Sequence, residues 1–182
     1  MIFRAVEDAD LIVRVRKGDV EAFNHLVSRW EKRVYNYLLR LTGKTEDSLD
    51  LTQDVFLKAW QNIRKLDDTA RFGPWLFRIA HNEAYSLFRK RKPDASTDDA
   101  DYTEREAAPG ASPELTLSVN AALNRLNPEQ REAVVLKVYQ GFKFDEMAEI
   151  LGCPVSTIKS RLYTALDLMK TELAPVAGRG GR

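Results

Sequence analysis

The chain has 182 residues, of which 44% are hydrophobic and 30% charged, and its formal net charge is +1. This composition is typical of a globular protein, and no run of about 18 apolar residues is present that would span a bilayer. A single cysteine, Cys153, and two histidines, His25 and His81, exclude an internal disulfide and argue against a metal centre.

Charge is distributed unevenly along the chain. Residues 1–93 carry 18 basic and 13 acidic groups, residues 94–114 carry 1 and 7, and residues 115–182 carry 9 and 7. Two basic ends joined by an acidic middle predict two modules and a linker, and basic modules favour a polyanionic partner. The acidic N-terminus lacks the apolar core of a signal peptide, so we expect a cytoplasmic protein. We also expect that the protein needs no cofactor.

The elements predicted in chain order are all helices. Apolar residues at three-four spacing predict helices over residues 10–17, 46–63 and 74–92, and a long one between an N-cap at Asp19 and a stop at Gly43. After the linker they predict helices over residues 115–126, 128–139, 144–151 and 155–173. The expected fold is all-α, with two small helical domains, residues 1–92 and 115–173. Residues 93–114 are predicted to be a flexible linker and residues 174–182 a disordered tail.

The helix predicted over residues 46–63 has one apolar and one acidic side. The apolar side should face the core and contains Val55, Phe56, Ala59, Trp60 and Ile63. The other side presents Asp47, Asp50, Gln53, Asp54 and Leu57. A leucine within an acidic face is typical of a docking surface for a basic helical partner, because charges steer the encounter and the leucine anchors it. Spacing alone favours a simpler interpretation, a solvated acidic face.

The helix predicted over residues 74–92 carries aromatic, basic and amide side chains on one face. Its core face is Leu76, Ala80, Ala84, Leu87 and Phe88, and the opposite face is Trp75, Arg78, Asn82, Tyr85 and Arg89. Such a face suits single-stranded nucleic acid, since bases stack on rings, arginines contact phosphates and an amide can read a base edge. The alternative is that Trp75 and Tyr85 belong partly to the core and the arginines only solubilise the helix.

Near the C-terminus, a short helix, a turn at residues 152–154 and a longer helix have the proportions of a helix-turn-helix. On the longer helix the residues predicted to turn inward are Ile158, Leu162, Ala165, Leu166 and Met169. Those predicted to turn outward are Ser156, Ser160, Tyr163 and Thr164, with Lys159 and Arg161 at the flanks. Hydrogen-bonding groups on the first turns suit the major groove, although helical hairpins in other proteins share this pattern. Cys153, in the turn, is interpreted as a small buried residue.

Four stretches in this order resemble the extracytoplasmic-function (ECF) sigma factors, group 4 of the sigma-70 family. They are DLIVRVRKGDVEAFNHLVSRW, DLTQDVFLKAW, WLFRIAHNEAYSLFRKRK and LNPEQREAVVLKVYQGFKFDEMAEILGCPVSTIKSRL. The resemblance covers both modules, nearly from Asp10 to Leu173, and leaves out the linker and the tail. It implies a sigma factor that lends promoter specificity to RNA polymerase and catalyses nothing itself.

The resemblance also implies roles for particular residues of the first domain, which is similar to sigma region 2. Asp50, Gln53 and Asp54 match positions that meet the clamp coiled-coil of core RNA polymerase. Asn82 matches an asparagine that lines a pocket for a flipped-out base of the minus-10 non-template strand, and residues 65–74 resemble the loop that completes this pocket.

The second domain is similar to sigma region 4, which reads the minus-35 duplex. Its residues at DNA-facing positions are Lys137, Lys159, Ser160, Tyr163 and Thr164. Lys137, Lys159 and Thr164 stand where several members carry arginine, which leaves the minus-35 sequence open because lysine lacks the planar fork that grips guanine. The resemblance further implies contact with the polymerase flap, a linker that threads toward the RNA exit path, and control by an anti-sigma factor.

Two other classes of protein fit part of the sequence. A stand-alone helix-turn-helix regulator would explain residues 144–173 but not the face of residues 74–92. A metal-dependent nuclease could use Asp47, Asp50 and Asp54, yet these carboxylates lie on one helix without a supporting histidine. A contact role fits them better.

Overall fold

A computed structural model of the chain describes residues 6–91 and 112–177. All regular elements in these two ranges are helical, which confirms the all-α prediction. They form two compact units that lie chiefly within residues 1–100 and 101–182. Residues 93–111 of the predicted linker lie outside the described ranges. None of the described helices has an apolar stretch long enough to cross a membrane.

Within residues 6–91, the first unit has four α-helices. They are α1 (Asp8–Arg16), α2 (Val20–Thr42), α3 (Thr45–Asn62) and α4 (Phe72–Lys90), with 3-10 turns at Ile63–Lys65 and Thr69–Arg71. Both predicted ends of α2 are confirmed. The Asp19 carboxylate accepts the Ala22 N–H at 3.0 Å, and Gly43 ends the helix in the left-handed region with φ 70°. Helix α2 packs against α1, α3 and α4, which makes it the centre of the unit.

The core of the first unit is close to the predicted one. Of the residues predicted to turn inward on α3 and α4, those that are buried are Val55, Phe56, Ala59, Ile63, Leu76, Ala80 and Ala84. Trp60 is half-buried and meets the Phe23 ring edge-on, 5.0 Å between centroids, while Leu87 and Phe88 are half-buried. Phe77, which the helical wheel did not place in the core, is fully buried against Tyr37.

Helix α4 begins two residues before the predicted start at Pro74. Its first turn contains Phe72, Gly73 and Pro74, all of them buried. Proline is tolerated there because the first N–H groups of a helix have no intrahelical partner. The buried Phe72 ring, which meets Trp30 edge-on at 5.7 Å, fixes the earlier start.

Gly73 lies where α4 approaches the Trp30 ring. A Cβ atom at this position would come within 2.7 Å of Cη2 of Trp30. The ring cannot easily retreat, because its Nε1–H donates to Asp8 at 2.8 Å and Phe72 packs against it. We therefore expect Gly73→Ala to lower the free energy of unfolding by about 1–3 kcal/mol in chemical denaturation.

A double-variant cycle checks the cause of this loss. Trp30→Leu removes the obstructing ring atoms, so Gly73→Ala should cost less in that background than in the wild-type chain. Equal costs in both backgrounds would show that the contact with Trp30 is not the reason.

Residues 112–177, which contain the described part of the second unit, form four more α-helices. They are α5 (Pro113–Arg125), α6 (Pro128–Val134), α7 (Phe144–Leu151) and α8 (Val155–Ala177), with a π-helical turn at Val135–Tyr139 after α6. A capping box begins α6, because Asn127 accepts from the Gln130 backbone at 2.8 Å and donates its own N–H to the Gln130 side chain. Helix α8 packs against α5 and α6.

Three predicted boundaries in the second unit are corrected. The linker was expected to run to residue 114, but Ser112 caps α5 by accepting the Leu115 N–H at 3.2 Å, so α5 begins at Pro113. The helix predicted over residues 128–139 widens into the π-helical turn at Val135. The tail was predicted disordered from Ala174, whereas α8 continues to Ala177. Residues 178–182 lie outside the described ranges.

Candidate nucleic-acid and polymerase interfaces

The acidic face predicted on α3 is largely presented to solvent. Asp50, Gln53 and Asp54 are exposed, and the Leu57 side chain is 55% exposed. Asp50 and Asp54 form no ion pair with another residue in the described ranges. Asp47 differs, because its carboxylate pairs with Arg91 at 2.6 Å and is only 19% exposed. The structure thus presents four of the five predicted residues and adds Leu49, which is 49% exposed on the same helix.

Helices α3 and α4 enclose a surface cavity of about 370 Å³ in the first unit. Its lining side chains are Lys58, Asn62, Lys65, Trp75, Arg78, Ile79, Asn82 and Glu83. The volume falls within the range of about 300–1,000 Å³ that ligand pockets occupy. Three of the five residues predicted to meet single-stranded DNA, Trp75, Arg78 and Asn82, therefore meet at one concave site.

Polar groups at the cavity come from both helices. The Lys58 ammonium of α3 pairs with Oε1 of Glu83 on α4, whose side chain is 15% exposed. The amide nitrogen of Asn62 donates to the backbone oxygen of Lys58 at 2.9 Å, which orients its amide oxygen. Asn82, next to Glu83, is exposed. The cavity thus combines hydrogen-bond donors and acceptors with the apolar surfaces of Trp75 and Ile79.

The two aromatic residues of the predicted face are half-buried rather than fully exposed. Trp75 packs against Phe72, with centroids 5.9 Å apart, and keeps a surface on the cavity. Tyr85 lies 4.4 Å from the His81 ring and 5.5 Å from Phe88, so it belongs to an aromatic cluster beyond the cavity. Tyr85 and the exposed Arg89 do not line the cavity.

Sequence reasoning missed four lining residues. They are Lys58, Asn62, Ile79 and Glu83. Lys58 and Asn62 are one turn apart on α3, but a helical wheel does not show which partner helix such a pair faces. The resemblance did point to residues 65–74, and Lys65 of that stretch lines the cavity.

The helix-turn-helix geometry is present in the second unit. Gly152 ends α7 in the left-handed region, φ 63°, and its N–H donates to Ala148 at 2.9 Å. Helix α8 starts after Pro154 and buries Ile158, Leu162 and Ala165. The outward residues predicted on its first turns are all exposed: Ser156, Lys159, Ser160, Tyr163 and Thr164. Leu166 was predicted to turn inward, but it is 38% exposed because its position on the wheel falls at the edge of the buried stripe.

Two lysines predicted to face DNA gather around one aromatic ring. The Lys137 ammonium lies 4.5 Å and the Lys159 ammonium 5.2 Å from the Phe144 ring centre. Lys137 is half-buried and also donates to the Phe142 carbonyl at 3.0 Å. Phe144 thus orients both cations. Lys137 braces the segment between the π-helical turn and α7, whereas Lys159 is exposed.

The turn at Cys153 is tied to neighbouring helices through Arg161. Cys153 is half-buried, and the Arg161 guanidinium lies 3.7 Å from its sulfur. The same guanidinium pairs with Glu129 of α6 at 3.0 Å. Arg161, predicted at the flank of the recognition face, therefore helps hold α8 on α6.

Comparison with known proteins identifies both units. Residues 26–93 match Sigma-70 region 2 and residues 116–169 match Sigma-70 region 4. The ECF RNA polymerase sigma-E factor of Haemophilus influenzae is 32% identical, over 93% of this chain and 96% of its own. The ECF RNA polymerase sigma factor SigW of Bacillus subtilis is 30% identical, over 89% and 94%.

A solved structure supports the same family assignment. The sigma factor RpoE, in a co-crystal with the anti-sigma factor NepR from Bartonella quintana, is 32% identical with a TM-score of 0.69. The match covers 84% of this chain and 96% of that one. The chain matches both sigma-70 regions in order, aligns with ECF sigma factors over nearly their whole length and shares their fold. It belongs to the ECF sigma factors of the sigma-70 family.

Proposed function

We propose that this sigma factor divides promoter recognition among three surfaces. The acidic face of α3 binds the clamp coiled-coil of core RNA polymerase, the α3–α4 cavity holds an unstacked minus-10 base, and the outward face of α8 reads the minus-35 duplex. The observation that carries the proposal is the meeting of Trp75, Arg78 and Asn82 at one cavity. A duplex-binding regulator has no need of a base-sized cavity in a separate unit.

The cavity can capture a base because it supplies each kind of contact that single-stranded DNA requires. Trp75 and Ile79 offer apolar surface against which a base can lie. The exposed amide of Asn82 can both donate and accept at the base edge. Lys65 and Arg78 supply positive charge for the adjoining phosphates. Holding the flipped base outside the duplex would stabilise the melted promoter.

The partners follow from this division of roles. Core RNA polymerase is the enzyme of the complex, and this chain contributes binding alone, in the bacterial cytoplasm. Its DNA partner is single-stranded at the minus-10 element and duplex at the minus-35 element. Control by an anti-sigma factor is supported by the complex of the 32% identical RpoE with NepR. The predicted flap contact of the second unit belongs to the same proposal.

If the outward face of α8 reads the minus-35 duplex, a substitution on this face should change the preferred minus-35 sequence. Thr164 is exposed on α8 and is short and neutral, so its contribution to recognition is base-edge or water-mediated. Thr164→Arg introduces a side chain that can grip guanine through two hydrogen bonds. We expect the preferred minus-35 sequence to change, with about 1–3 kcal/mol of altered discrimination at one base pair. Selection from a randomised promoter pool by reconstituted holoenzyme measures it.

The same selection separates the proposal from a stand-alone regulator. Thr171→Arg, which adds the same group at an exposed position far along α8, serves as the control and should leave the preferred sequence unchanged. Identical preferences for wild type and Thr164→Arg would mean that this face does not read the promoter. If the chain selected the same minus-35 and minus-10 sites without polymerase, the result would instead favour a stand-alone helix-turn-helix regulator.

A further inference from the structure

We propose that Glu83 determines which base the cavity accepts, by taking a hydrogen bond from an exocyclic amine. The site would then prefer cytosine, adenine and guanine, each of which carries an exocyclic amine, to thymine, which carries none. This inference rests on the proposed capture of a minus-10 base in the cavity and adds the chemistry of the choice.

The starting observation is a carboxylate in a cavity that is otherwise suited to a polyanion. The charged groups of the lining are the cations of Lys58, Lys65 and Arg78 and the single anion of Glu83. Cations attract the phosphates of single-stranded DNA, whereas a carboxylate repels them. Binding of the DNA backbone therefore does not explain why the cavity contains the Glu83 carboxylate. Contact with the base itself would explain it.

The ion pair with Lys58 makes a carboxylate acceptable beside DNA. The ammonium of Lys58 neutralises Glu83 and holds it through Oε1, across the gap between α3 and α4. A carboxylate has about four lone-pair sites on its two oxygens, so Oε2 keeps its capacity to accept. The side chain of Glu83 is 15% exposed, and the ion pair through Oε1 restricts its movement, so the remaining acceptor is less mobile than one on a fully exposed carboxylate.

The acceptor discriminates bases by whether they carry an exocyclic amine. Cytosine carries one at N4, adenine at N6 and guanine at N2, whereas thymine offers only its ring N3–H between two carbonyls. A carboxylate accepts from the amines and is repelled by the lone pairs of the thymine carbonyls. The neighbouring Asn82 amide can adapt to either edge because it both donates and accepts, so it secures the base without choosing it.

A purely structural ion pair would tie α3 to α4 and nothing more. Lys58 is 49% exposed, and pairs this accessible contribute little to stability because water screens them. Removal of the carboxylate distinguishes a structural ion pair from a carboxylate that reads a base. A structural pair affects the stability of the unit, and a base-reading carboxylate affects the identity of the retained base.

The test uses full-length chain reconstituted with core RNA polymerase and a pool of single-stranded non-template oligonucleotides randomised across the minus-10 element. Retained strands are sequenced for wild type, Glu83→Gln and Lys58→Met. Wild type should deplete thymine at one position. Glu83→Gln, whose amide can donate to a carbonyl, should raise the ratio of thymine to the other three bases at that position about tenfold and leave the other positions unchanged. Lys58→Met leaves the carboxylate without its neutralising cation, so it should retain less of every strand while still depleting thymine at that position.

The controls separate this inference from the proposed function. Glu31→Gln makes the same change at an exposed position of α2 outside the cavity lining and should reproduce the wild-type ratios. An unchanged ratio in Glu83→Gln, or wild-type enrichment of thymine at the position that Glu83 controls, would overturn the inference while leaving strand capture intact. Failure of wild-type holoenzyme to retain any strand preferentially would overturn the capture itself.

Discussion

Replacing Asp50 and Asp54 together with lysine should abolish co-purification of the chain with core RNA polymerase. Both carboxylates are exposed on α3 and form no ion pair with another described residue, so their charges are available to a partner. Reversal turns attraction by a basic coiled-coil into repulsion, which costs several kcal/mol at an interface. We expect binding to fall at least about a hundredfold, with Leu57 unable to hold the complex alone.

The matched control is Glu21→Lys with Glu31→Lys, an equal change of charge on the exposed surface of α2. It should leave binding to core polymerase close to that of the wild type. Circular dichroism should show the same helicity for both double variants, since none of the four residues is buried. Undiminished binding of the α3 variant would remove the clamp assignment.

Asn82→Ala should impair promoter opening far more than it impairs assembly with core polymerase. The amide of Asn82 is exposed at the cavity, and its loss removes the hydrogen bonds that secure an unstacked base. A lost base contact costs roughly 1–3 kcal/mol, so the open fraction should fall by about one to two orders of magnitude. Permanganate reactivity of unpaired thymines measures opening directly.

Asn24→Ala, the same substitution at an exposed position of α2, should open promoters normally. Asn82→Ala should also keep its affinity for core polymerase, because the acidic face of α3 is unchanged. Normal opening by Asn82→Ala would mean that the cavity does not hold a promoter base, whatever else binds there.

Local signals allowed much of the fold to be predicted from sequence. Asp19 and Gly43 marked both ends of α2 because caps depend on neighbouring backbone groups, which the sequence displays directly. Periodicity likewise predicted the buried stripe of α3. The predicted start of α4 was wrong because it depends on the packing of Phe72, which the apolar pattern does not show. Helix α8 continues to Ala177, past its predicted end, and the apolar pattern gave no sign of this either.

The sites were harder to predict, because they depend on contacts between residues distant in sequence. Lys58 and Glu83 meet across two helices, and Asp47 is partly withdrawn from the acidic face by Arg91, 44 positions later. Lys137 was predicted at a DNA-facing position, yet its ammonium is held by the Phe142 carbonyl and the Phe144 ring. A helical wheel gives the direction in which a side chain leaves the helix axis, but it does not show which residue of another element the side chain contacts.

Transcription in vitro tests whether this chain directs core RNA polymerase to promoters. Core RNA polymerase alone, core with this chain, and core with the Asp50→Lys, Asp54→Lys variant are each given fragments of the chromosome that encodes the protein, and transcript starts are mapped. We expect discrete new start sites with the wild-type chain and their loss with the variant. Sequence-specific duplex binding by the chain alone, with no new start site in the presence of core polymerase, would contradict this expectation.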